Sequence, residues 1–188
     1  LRMLINYRAG SKMRQGVTAE CTGQCGLGVH PVRDEHREML QDVCSFITFD
    51  TAEWRWTSTA GYLDALRQAG PSVNSAPMVA QSPLRAYAVG FGDSPATDDE
   101  LHEMCNTARQ SLAEGAVGIS FGLAYALGNV ASSKEVEALC RVAAEENRHV
   151  SVHIRNEGPQ VLEALEEMIT IARSLADEGL LLRLQIDH

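Results

Sequence analysis

Hydrophobic and polar positions along the chain switch between two periods. Val150, Val152 and Ile154 alternate with Ser151 and His153, the period of two that a pleated strand imposes. Gly158-Pro159 follows, and then a helical run from about Pro159 to Ala176 that stops at Gly179. The same succession recurs upstream. Val17 to Gly23 predicts a short strand that opens into the glycine-rich loop Gln24–Gly28. Val73 to Gln81 predicts the next strand, although Pro77 weakens it as a paired central one. Ala116 to Gly122 and Leu181 to Ile186 complete a set of five.

The helical segments carry recognisable starts and stops. Residues 1–15 predict a helix with Leu1, Leu4, Ile5 and Met13 apolar and with Arg2, Arg8, Lys12 and Arg14 basic, ended by Gly16. Residues 29–56 read mostly as loop, with one helix near 34–46. Thr57 to Ala69 places Tyr62, Leu63 and Leu66 on one face and ends at Gly70-Pro71. Thr97–Glu100 and Ser132–Glu135 each have the spacing of a capping box. Leu101, Met104, Cys105, Ala108 and Leu112 line the first of these helices, and Val136, Leu139, Cys140 and Ala143 the second.

Strands that alternate with crossover-length helices predict a parallel sheet covered by helices. A doubly wound sheet and an eight-stranded barrel both fit the alternation. Polar residues recur at the carboxyl ends of separated strands, where a barrel places its site, so the expected fold is a (β/α)8 TIM barrel present as about five βα units over residues 1–188. The chain starts at Leu1 and stops on His188, and both ends read as cuts through a larger protein.

Composition narrows the function. Sixteen basic against 25 acidic residues leave a formal charge of −9 with no basic face, which argues against a nucleic-acid partner. No apolar stretch has the length of a membrane span. Five irregularly spaced cysteines do not suggest a disulfide framework, and a cytoplasmic location is the expectation.

Cys25, His153 and His188 stand at three strand ends. Thiolate and imidazole are zinc donors, and a catalytic zinc takes three protein ligands and keeps a position open. Their separations of 128 and 35 residues exclude a zinc finger, so the grouping rests on topology. The alternative for each is a small buried thiol or a hydrogen-bonded core imidazole. Cys21, Cys105 and Cys140 read as packing residues, and Cys44 is undecided. His30, His36, His102 and His149 are expected to be mostly solvated. Arg155 and Glu157 would form a surface ion pair or orient His153 within the site. Tyr125 would hold a substrate group or cap the barrel.

These segments resemble the N-acyl-D-amino-acid deacylases (D-aminoacylases) of the amidohydrolase superfamily. Gly16-Val17-Thr18 through Gly23-Gln24-Cys25-Gly26 is similar to that family's Gly-Val-Thr-Thr…Gly-Asn-Cys-Gly. Tyr62 to Leu66 and Leu84-Arg85 match its next blocks, and Gly115 to Tyr125 resembles Gly-Ala-x-Gly-Leu-Ser-Thr-Gly-Leu-x-Tyr. His153 to Glu157 resembles His-x-Arg-Asp-Glu, and Ile186-Asp187-His188 resembles Ile-Ser-His. The resemblance implies barrel strands two to six of a zinc-dependent hydrolase acting on N-acyl-D-amino acids. It implies Zn2+ on Cys25, His153 and His188, and Tyr125 on the substrate carboxylate. It also implies a His-x-His pair before Leu1 and a general-base aspartate beyond His188. Gln24, Gln81, Phe121, Asn156 and Asp187 depart from the family pattern beside the site. Cyclic-amide hydrolysis of the hydantoinase or dihydroorotase type, and a non-catalytic fragment or degenerate homologue, are the competing readings.

Overall fold

A computed structural model of the chain describes residues 2–48 and 53–188. Leu1 and residues 49–52, on which part of the expected first helix and of the 29–56 segment fall, lie outside the described residues. Chain order runs α1 (Arg2–Ile5), α2 (Gly10–Arg14), β1 (Ala19–Thr22), a 3-10 turn at Asp34–His36, α3 (Arg37–Thr48) and α4 (Thr59–Ala69). It continues β2 (Asn74–Pro77), β3 (Val79–Ala80), α5 (Gln81–Ala88), α6 (Asp98–Ala113) and β4 (Gly118–Gly122). Then come α7 (Ser133–Glu145), β5 (His149–His153), α8 (Val161–Asp177) and β6 (Arg183–Ile186).

All the strand pairings are parallel. β1 pairs with β2, and β3, β4, β5 and β6 lie side by side in that order. β2 and β3 are the two halves of the strand expected over Val73 to Gln81, separated only by Met78. Hydrogen bonding passes across the break, because Met78 N–H donates to Thr22 O at 2.8 Å and Val117 N–H to Pro77 O at 2.9 Å. The strand thus hands over from β1 on one side to β4 on the other at the residue after Pro77. Neighbours follow chain order without reversal, which a doubly wound sheet would not do.

Alternation divides the sheet into two faces. Val79, Ile119, Phe121, Val150 and Val152 meet Met104, Ala108 and Leu112 of α6, Leu139 and Ala143 of α7, and Met168, Ile171 and Leu175 of α8 in one buried core. The register puts Ala80, Ser120, Ser151 and Gln185 in one row on the other face. A second core forms around Val29, Val32, Leu40, Trp54, Trp56, Tyr62 and Leu66.

Several expectations need correction. In place of one helix over 1–15, the described residues hold two short ones, Arg2–Ile5 and Gly10–Arg14, and Ala9 between them takes a left-handed φ of 42°. Gln81 begins α5 instead of ending a strand, a helix that its Pro83 concealed and that Pro83 suits as a first-turn residue. α6 carries its full capping box. α7 has half of one: Ser132 accepts from Glu135 N–H, but the Glu135 carboxylate turns inward. There it meets Arg85 and Gln81, with Arg85 at 0% and Glu135 at 1% exposure. Cys21 is exposed, not core, whereas Cys44 and Cys140 are fully buried. His30 is buried, with Nδ1 2.9 Å from Thr59 Oγ1 and its ring stacked on Tyr62. A polar residue can be buried when one fixed partner replaces water, and the sequence around His30 does not show Thr59 coming to it. Among the described residues no helix is long and apolar enough to cross a membrane.

Candidate metal centre

The carboxyl ends of β1, β5 and β6 deliver Cys25, His153 and His188 to one point. One donor atom from each lies within 4.8 Å of the others, and Cys25 Sγ is 3.6 Å from His188 Nε2. β1 and β6 are at opposite ends of the strand order, so this meeting is made by the curvature of the sheet and by the loops.

The loop after β1 reaches the site because two glycines remove the atoms that would block it. A Cβ on Gly122 would stand 1.9 Å from Cys25 O, and one on Gly26 2.2 Å from Gly122 N. Cys25 itself has φ 55° and Gly26 φ 66°, a left-handed pair that turns the thiol over the end of β4. Ser120 fixes the turn from below: it donates to Gly23 O and accepts from Gly26 N–H at 3.2 Å. Ser82 N–H donates to Gly26 O at 3.0 Å.

His153 closes β5 and is 4% exposed. Its Nδ1 is buried without a partner, while Nε2 faces the cluster, 3.6 Å from Glu157 Oε1. The same Glu157 oxygen lies 3.2 Å from His188 Nδ1. A carboxylate there favours the proton on Nδ1 and leaves the Nε2 lone pair pointing at Cys25. Burial raises the Cys25 thiol above its ordinary range, and the Asp187 and Glu157 carboxylates raise it further. A cation between the three donors would reverse that effect and draw off the thiol proton. One soft thiolate and two imidazoles at this spacing form a set that suits zinc.

Tyr125, half-buried, stands edge-on to His153 with ring centroids 4.7 Å apart. Arg155 turns away. Its guanidinium binds Glu167 of α8 through Nε at 3.0 Å and Nη2 at 2.9 Å, so the surface ion pair with Glu157 does not form among the described residues and Glu157 comes to the histidines. Asn156 Oδ1 accepts from Gly158 and Gln160 N–H and shapes the approach to α8. Gln81 is buried, its amide donating to Glu135 at 3.0 Å. Ser151, absent from the residues singled out in the sequence, sits directly beneath the cluster. Its signal was a polar position sharing the strand face of His153.

Known proteins of similar sequence and fold are found. A D-aminoacylase of Alcaligenes xylosoxydans xylosoxydans is 35% identical over 164 residues, 87% of this chain and 33% of that protein. An N-acyl-D-glutamate deacylase of the same organism is 31% identical over 162 residues. A D-aminoacylase crystal structure, described as defining a novel subset of amidohydrolases, superposes with a TM-score of 0.81 at 33% identity. That match covers the whole of this chain and 38% of the other.

The chain is similar in sequence and fold to the N-acyl-D-amino-acid deacylases.

Two further structures fit the same reading. The N-acyl-D-glutamate deacylase of Bordetella bronchiseptica, complexed with zinc and a phosphonate mimic of the tetrahedral intermediate, has a TM-score of 0.76 at 31% identity. It is covered over 35% of its length and this chain over 92%. A D-aminoacylase studied for its binuclear metal centre also scores 0.76, at 33% identity. The chain spans about a third of the length of the curated relatives it matches. No protein-family model matches it.

Proposed function

We propose that this chain is the metal-bearing part of a hydrolase that cleaves the amide bond of N-acyl-D-amino acids. The observation that carries the reading is the convergence of Cys25, His153 and His188 from three strand ends onto one point. In this reading the sheet is strands two to six of an eight-stranded barrel, and these three residues hold Zn2+. Zinc bound there supplies Lewis acidity toward an acyl carbonyl and toward water.

The protein's own residues then have distinct tasks. Cys25 and the two imidazoles set the charge and shape of the site. Glu157 holds the His188 tautomer through Nδ1. Tyr125, beside His153, offers its hydroxyl to the substrate carboxylate. The carboxylate that takes the proton from water is assigned by resemblance to an aspartate that follows His188 in the relatives' order.

The test uses protein expressed from the complete reading frame. Its purified form is expected to hold zinc and to hydrolyse N-acetyl-D-amino acids in preference to their L-isomers. Cys25→Ala and His153→Ala should each lower zinc occupancy and abolish turnover. Unchanged zinc content in both variants would refute the donor assignment. Zinc binding without turnover of any acyl-amino acid would instead favour a degenerate homologue, a reading that the departures at Gln24, Gln81, Phe121, Asn156 and Asp187 support.

A further inference from the structure

A hydrogen-bonded link crosses the open face of the sheet one layer beneath the donor cluster. Ser151 lies two residues before His153 on β5, so both side chains leave the same face. Ser151 is 0% exposed. Its Oγ is 2.6 Å from Gln24 Oε1 and also within hydrogen-bonding distance of Asp187 Oδ2. Gln24 immediately precedes Cys25, and Asp187 immediately precedes His188. One hydroxyl therefore touches the residue before each of two donors and stands on the strand that carries the third.

One proton serves the link. A serine hydroxyl has one proton and an ionised carboxylate only accepts. Ser151 therefore donates its one proton to Asp187 Oδ2 or to Gln24 Oε1, which stand as alternative acceptors on the same hydroxyl. The far end is fixed as well. Gln185 Nε2 donates to the second Asp187 oxygen at 3.0 Å, and Asp187 N–H donates to Val152 O at 2.9 Å.

This link meets a need that the backbone leaves open. β1 and β6 are not neighbours in the strand order, so no ladder of backbone hydrogen bonds sets the distance from Cys25 to His188. Ser120 ties the Cys25 loop to β4 but does not reach β6. Resting on the reading of Cys25, His153 and His188 as metal donors, we propose that Ser151 is the positioning residue of that set. It joins the β1 loop and the end of β6 to β5 and so fixes the separation of the three donor atoms. Ser151 itself touches neither metal nor substrate.

Metal binding tests this without recourse to activity. Protein from the complete reading frame, stripped of metal, is titrated with Zn2+ against a chromophoric chelator. A parallel titration with Co2+ follows the ligand-field bands and the thiolate-to-cobalt band. Ser151→Ala should weaken zinc binding about ten- to a hundredfold, the usual effect of removing a group that orients metal ligands. The cobalt bands should shift because the thiolate and imidazoles lose their mutual angle. Asp187→Ala should behave in the same way, and Asp187→Asn, which keeps an accepting oxygen without the charge, should restore the cobalt spectrum. The Asp187 pair carries the test if Ser151→Ala does not fold, since Asp187 is partly exposed and outside the core. The proposal is overturned if Ser151→Ala and Asp187→Ala bind both metals as the wild type does while Cys25→Ala does not. A wild-type protein that binds neither metal overturns the donor reading itself, and this inference with it.

Discussion

Acidification is expected to loosen the second core through His30. That imidazole is buried and stacked on Tyr62 with ring centroids 4.7 Å apart, and Tyr62 in turn meets Trp56 in the second core. Burial holds its pKa down at about 3, against 6.5 for a free histidine. The folded protein therefore keeps His30 neutral, and the unfolded chain takes up a proton below pH 6.5. The stability that the neutral ring contributes is present above pH 6.5 and is lost as pH falls from there toward 3. At pH 5 the unfolded state gains from protonation over about 1.5 pH units, or about 2 kcal/mol at 1.36 kcal/mol per unit. The folded pKa is too low to offset this at pH 5, so the figure depends almost wholly on the unfolded value. The assay is urea unfolding at pH 7 and pH 5 with chelator present, which keeps the metal site out of the comparison. Tryptophan fluorescence is the readout, because Trp54 and Trp56, the chain's two tryptophans, both belong to this core. His30→Gln lowers stability at both pH values but removes the titrating ring. The wild type should therefore lose about 2 kcal/mol more than the variant between pH 7 and 5. Equal losses in the two proteins would show that His30 does not stay neutral, and the burial argument would fail.

Two other perturbations bear on the site's support. Glu135→Ala leaves the Arg85 guanidinium buried without its carboxylate, and should cost about 3–5 kcal/mol in a denaturant titration; the double change Arg85→Leu with Glu135→Leu should recover most of that loss. Gly122→Ala puts a methyl group 1.9 Å from Cys25 O, so the thiol loop must move and zinc affinity should fall, measured by the same chelator competition; Gly92→Ala, with nothing within 4 Å of the added carbon, should bind zinc as before.

Local order was legible in the sequence wherever short-range physics decides it. Alternation marked β5, the Thr97 and Glu100 pair marked the start of α6, and Gly70 marked the end of α4, because each depends on residues within a turn or two of one another. The strand ends followed from the same periodicities, and with them the three donors that the structure brings within 4.8 Å. Only the tertiary structure decided what side chains with two local options would do. Glu135 had the spacing to cap its own helix and instead turned to Arg85 and Gln81, which lie 50 and 54 residues earlier. Arg155 chose Glu167 over Glu157, and Glu157 went to the histidines. Ser151 looked like an ordinary polar position in a strand until the fold set Gln24 and Asp187 against it from either side. A buried polar group takes whichever partner best replaces water. When that partner comes from a distant strand, its position is fixed by the packing of the whole sheet and not by the neighbouring residues.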